Sequence, residues 1–111
     1  MSFDLHRDER GFLACSIGGT VIAIHEPSLA LEALSEALDR VESDGLGECC
    51  WEQPTGVYRW VFRTNEARAN VALIWSAGVV TGWEHVWWGE VDWAEFVREA
   101  RAQIAVASAN L

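Results

Sequence analysis

Val57-Tyr58-Arg59-Trp60-Val61-Phe62-Arg63 and, after the break Thr64-Asn65-Glu66-Ala67, Arg68-Ala69-Asn70-Val71-Ala72-Leu73-Ile74-Trp75 carry the fold. Large apolar side chains recur at every second position, the period of a strand with one buried face. Pairing Arg63 with Arg68 across the break sets Trp60 beside Val71 and Tyr58 beside Leu73. One face then holds Tyr58, Trp60, Phe62, Val71, Leu73 and Trp75. The other holds Val57, Arg59, Val61, Arg63, Asn70, Ala72 and Ile74. A slip of one residue would mix the two sets, so the pattern itself is expected to fix the register of this antiparallel pair.

Working outward, Glu48 to Glu52 reads as the preceding strand and about Gly82 to Val91 as the following one. The latter is ambiguous. Trp83, His85 and Trp87 share one face, while Glu84, Val86, Trp88 and Glu90 share the other, so at least one Trp must point away from the core. Residues 11–26 read as a hairpin about Gly18-Gly19, a two-residue turn of the kind that tolerates positive φ. It sets Ile17 opposite Thr20, Cys15 opposite Ile22 and Leu13 opposite Ile24. A short strand, Phe3 to His6, precedes it.

Two segments carry helical spacing. From Pro27-Ser28 to about Ser43, Leu31, Leu34, Leu38 and Val41 form one stripe, Glu32, Glu36 and Asp39 lie opposite, and Gly45 is a stop. From Trp93 to about Ala107 the stripe is Trp93, Phe96, Val97, Ala100, Ile104 and Ala107. Asp92 is its N-cap, Glu95 completes a capping box, and Val91 with Phe96 is spaced as a hydrophobic staple. The chain is therefore read as α+β: one domain over residues 1–111, an antiparallel sheet of five to seven strands in the order hairpin, helix, four-stranded meander, helix. Both helices pack on one sheet face, which leaves the other face open and half apolar.

The 111 residues suffice for one domain, and 50% hydrophobic with 23% charged residues is ordinary globular composition. Net charge is −9, from 17 acidic residues against eight basic ones, all of them Arg. That balance disfavours nucleic acid and anionic membranes and suits a basic partner. The charge is uneven. Between Glu26 and Glu52 lie Glu26, Glu32, Glu36, Asp39, Glu42, Asp44, Glu48 and Glu52, with only Arg40 against them. No apolar run is long enough to span a bilayer and the first residues lack the apolar centre of a signal peptide, so a cytoplasmic location is expected.

The chemistry-bearing residues form no recognisable catalytic or metal-binding spacing. His85 and Glu84, as strand neighbours, point to opposite faces. His6, His25, Cys15, Cys49 and Cys50 contain neither a CxxC nor an HxxxH, so no metal or cofactor is expected. Three cysteines without framework spacing make no disulfide scaffold. Of the tryptophans, Trp60, Trp75 and Trp93, with Tyr58, suit the core. Trp51, Trp83, Trp87 and Trp88 cannot all do so, and an exposed Trp is enriched at interfaces.

The run Trp51-Glu52-Gln53-Pro54-Thr55-Gly56-Val57-Tyr58-Arg59-Trp60-Val61-Phe62-Arg63, followed by a meander and the acidic-capped helix Glu90-Val91-Asp92-Trp93-Ala94-Glu95-Phe96, is similar to a stretch in small bacterial proteins of uncharacterised role. Over residues 48–107 the layout resembles immunity proteins of polymorphic-toxin systems. That resemblance implies a protein that binds and blocks a toxin, and it carries no site residue with it. The expected function is thus a non-enzymatic binding protein offering an acidic surface to a basic protein partner, with Glu32, Glu36, Asp39, Asp44, Glu48, Trp83 and Trp87 as partner-binding residues. The alternatives are a structural homodimer joined through the open sheet face, and a small-molecule binder or enzyme using a sheet–helix pocket.

Overall fold

The computed structural model describes residues 3–78 and 82–111. In chain order the elements are β1 (Phe3–Arg7), β2 (Leu13–Ile17), β3 (Thr20–Ala23), α1 (Pro27–Asp44), β4 (Leu46–Gln53), β5 (Gly56–Asn65), β6 (Arg68–Ser76), β7 (Glu84–Asp92) and α2 (Trp93–Ala109). The architecture is α+β, with every strand pair antiparallel. The strands do not form the single sheet expected from the sequence. They divide into a three-stranded sheet, β1-β2-β3, and a four-stranded meander, β4-β5-β6-β7.

Side chains reaching across from distant elements accompany the division. At the free edge of β1, the backbone N–H groups of Phe3 and Leu5 donate to Glu99 Oε1 (3.2 Å) and Gln103 Oε1 (3.3 Å) of α2. At the other side, Gln53 at the end of β4 donates its Nε2 to the carbonyl of Ala23 in β3, at 2.9 Å. A side chain, not a strand ladder, thus bridges the two sheets at this point.

The β2–β3 hairpin has the expected register, with Cys15 opposite Ile22 and Ile17 opposite Thr20. Gly18 (φ 55°) and Gly19 (φ 86°) form its turn. A Cβ on Gly18 would overlap the indole of Trp87, so the hairpin tip seats directly on β7. In the β5–β6 hairpin the strands run two residues further than the sequence reading placed them. Asn65 pairs with Arg68 across Glu66-Ala67, Trp60 lies opposite Leu73, and Tyr58 lies opposite Trp75. A shift of two preserves which face each side chain occupies, so the two sets of residues stand as expected.

The core lies between the inner face of the four-stranded sheet and a layer made of α1, α2 and the small sheet. Trp51, Trp60, Phe62, Val71 and Leu73 are almost fully buried on that inner face. Phe3 of β1 meets Trp60 edge-on (6.2 Å between centroids), and Phe96 of α2 meets Phe3 (5.8 Å) and Phe62 (5.9 Å). On α1, Ala30, Leu31, Leu34, Ala37, Leu38 and Val41 are buried. The helix backbone at Ala37 approaches β4 so closely that only glycine fits at Gly47. Both helices therefore cover one face of the four-stranded sheet, as the stripes imply. Helix α2 opens with Asp92 accepting from the N–H of Glu95 at 2.9 Å, the expected cap. Helix α1 ends at Gly45 (φ 78°), whose N–H donates to the Val41 carbonyl. Among the described residues no helix is long and apolar enough to cross a membrane.

Candidate partner-binding surfaces

Among the described residues no helix or strand packs on the outer face of the four-stranded sheet. Its strand pattern turns Val57 and Val61 of β5, Ala72 and Ile74 of β6 and Trp88 of β7 outward. Trp88 is 60% exposed. A bulge decides which Trp of β7 faces out. Leu73 pairs with Trp87 but Ile74 pairs with His85, so Val86 is an extra residue in β7. The expected alternation breaks there. Trp87 turns inward and packs against the core, while His85, two residues earlier, lies opposite Ile74 on the outer face. Trp87, expected at a partner surface, is thus a half-buried core residue resting against Gly18.

Trp83, 47% exposed, does lie on the outer side. Its ring sits over the guanidinium of Arg59, 5.7 Å from the centroid, and Arg59 also pairs with Glu48. Arg68 and Glu90 make a second pair at 3.0 Å. The outer face thus joins Trp83 and Glu48 but holds none of the other expected acidic residues. At one end a cavity of about 640 Å³ opens beside Trp83, Gln53, Thr55 and Ser76.

Those other residues lie on α1, against the opposite side of the sheet. Glu32, Glu36, Asp39 and Asp44 are all exposed. Their charges are not equally available. Arg101 of α2 binds Asp39 (2.8 Å) and also Glu42 (3.2 Å), a clamp between the helices that sequence spacing does not reveal. Arg40, which offers Glu36 an obvious partner in sequence, instead donates to the carbonyl of Glu48 at 2.7 Å. No ion pair among the described residues holds Glu32, Glu36 or Asp44. Glu32 and Glu36 border a groove of about 440 Å³ between the two helices, lined also by Ser28, Ser35 and the apolar Leu31 and Ile104.

Burial pushes the Cys15 thiol far up, aided by nearby Asp4. Burial likewise raises Cys49 to about 12, with Cys50 beside it. Cys50 is exposed on the outer face, and burial raises it too, ahead of the opposing pull of Arg59. Each is therefore a neutral thiol near neutral pH, the wrong state for a nucleophile. His6 Nδ1 lies 2.9 Å from Asp4, and His25 Nε2 is 3.9 Å from Glu26. Glu84 and His85 occupy opposite sides of β7, paired with Trp75 and Ile74. Among the described residues no three His, Cys, Asp or Glu side chains converge as a metal site.

The chain matches no known protein family, and neither a curated protein nor a solved structure matches it significantly.

Proposed function

We propose that this is a non-enzymatic binding protein that receives a basic segment of a partner protein in the groove between α1 and α2. One observation carries the reading. Glu32 and Glu36, without a cationic partner among the described residues, border the same groove as the apolar Leu31 and Ile104. Lys and Arg side chains bring an aliphatic stem and a cationic head, which match an apolar wall and a carboxylate rim. The remaining acidic surface steers such a partner inward, in keeping with the net charge of −9. In an immunity-like role, as the resemblance over residues 48–107 suggests, that partner is a basic toxin. Three unpaired thiols suit work in the reducing cytoplasm.

The test is selection of peptides from a displayed random library, followed by titration of the selected sequences. Enrichment of Lys- and Arg-bearing amphipathic peptides is expected. A Glu32→Gln, Glu36→Gln variant should bind them about tenfold more weakly, a loss of about 1.4 kcal/mol. Equal affinity for the double variant, or equal enrichment of neutral peptides, rules the groove out.

A further inference from the structure

The outer face of the four-stranded sheet has a different charge character from the rest of the molecule. Three Arg (Arg59, Arg63, Arg68) project from it beside Glu48, Glu52, Glu90 and Asp92, so the face carries only one net negative charge on a chain carrying −9. A foreign partner of either charge gains little steering from a nearly balanced face. Two copies of an acidic protein, by contrast, repel everywhere except where such a face meets its own image. A self-complementary surface needs both signs within one patch, because a two-fold interface opposes the patch to itself.

The composition and size suit that use. Leu46, Val57, Val61, Ile74, Trp83 and Trp88 supply the apolar part, and Trp and Arg are the residue types enriched where proteins meet. Arg59, held by Glu48 and by the Trp83 ring, is already ordered and loses little freedom on being covered. Four strands of eight to ten residues make the face. At ~4.8 Å between strands and ~3.3 Å per residue, its flat area is roughly 550 Å². Two such faces bury about 1,100 Å² before side-chain relief is counted, above the ~1,000 Å² that a specific interface clears.

We infer that this face is covered by a second copy of the chain, forming a face-to-face homodimer. Because α1 packs on the opposite side of the sheet, the dimer leaves both helical grooves uncovered. The inference stands apart from the groove reading, so the two fail separately.

Light scattering coupled to size exclusion should give about twice the 12.4 kDa chain mass at ~100 µM, falling toward one chain on dilution. Trp88→Glu, at a position already 60% exposed, should leave the circular dichroism unchanged and weaken self-association at least ~100-fold. Glu32→Gln, Glu36→Gln should remain dimeric. A second measurement needs no substitution. Cys50 is exposed on this face while Cys15 and Cys49 are buried, so alkylation of the native protein reports on Cys50. Its rate should fall as protein concentration rises through the dimerisation range. A single-chain mass at ~100 µM, a Trp88→Glu variant that stays dimeric, or a Cys50 rate independent of concentration would each overturn the inference.

Discussion

Trp51 and Trp60 offer a matched comparison inside one core. Both are buried, at 1% and 0% exposure, and their rings meet edge to face at 5.4 Å. They differ in one bond. The Nε1 of Trp51 donates to the Ala30 carbonyl in the first turn of α1 at 2.9 Å. The Nε1 of Trp60 has no hydrogen-bond partner among the described residues. Replacing either by Phe removes similar ring volume, a packing loss of roughly 1–2 kcal/mol by the large-to-small rule. Trp51→Phe also loses a net hydrogen bond of about 1 kcal/mol. Trp60→Phe removes a buried donor whose desolvation already costs roughly 1–3 kcal/mol, which offsets much of the packing loss. Trp51→Phe should therefore be the less stable variant by about 2 kcal/mol, with Trp60→Phe close to wild type. Urea unfolding followed by far-ultraviolet circular dichroism reads the gap directly. With a slope of ~2 kcal/mol per molar, the midpoints should differ by about 1 M. Equal midpoints would mean that the Trp51 bond contributes nothing net and that Trp60 is satisfied within its ring cluster.

Two further outcomes are expected. The raised thiols make stability pH-dependent. Cys15 and Cys49 stay protonated in the folded chain above the pH, near 9, at which they ionise when unfolded, so their contribution is complete below pH 9 and is lost as pH rises toward 12. Each thiol should remove about 1.4 kcal/mol per pH unit in that window, and a Cys15→Ala, Cys49→Ala variant should flatten the fall in urea midpoint between pH 9 and 11; the same slope in both proteins would refute this origin. Arg101→Ala releases the carboxylates of Asp39 and Glu42 on α1, so a Lys-bearing peptide should associate faster in stopped-flow at low salt and at an unchanged rate at high salt, with stability altered by less than about 1 kcal/mol; equal rates at low salt would show that this charge does not steer.

What the sequence makes legible follows the range of the interaction concerned. The hairpin, both helices, the Asp92 cap and the two faces of β5 and β6 rest on periods of two and 3.6 and on local capping, all visible within a short window. The split into two sheets is accompanied by Glu99 and Gln103 meeting β1 across most of the chain, and no short window contains those contacts. The β5–β6 register differs by two residues because Thr64 and Asn65 extend the strand instead of forming the loop. A shift of two leaves the alternation identical, so the pattern could not reveal it. For the acidic surface, residue types and exposure were readable. Which charges are free was not, because Arg101 joins Asp39 and Glu42 from a helix some sixty residues on, at separations of 62 and 59.

The last strand shows why a surface can be misread when its residues are known. A regular β7 would send Trp83, His85 and Trp87 to one side together. Turned inward, that set would carry an imidazole into an aromatic core, where an unpaired polar group is costly. Turned outward, it would remove Trp87 from the seat of the β2–β3 hairpin and leave the core open at Gly18. The extra residue Val86 separates the two demands: Trp87 closes the core, and His85 stays opposite Ile74 on the outer face. The same step places Trp88 outward, on the face over which Trp83 covers Arg59. Closing the core explains why Trp87 points in, but it sets no requirement for a large aromatic at position 88, where a small polar residue would serve a solvated strand equally well. A Trp left 60% exposed on a nearly charge-balanced sheet face is what the inferred self-association surface would require, and Trp88→Glu tests it.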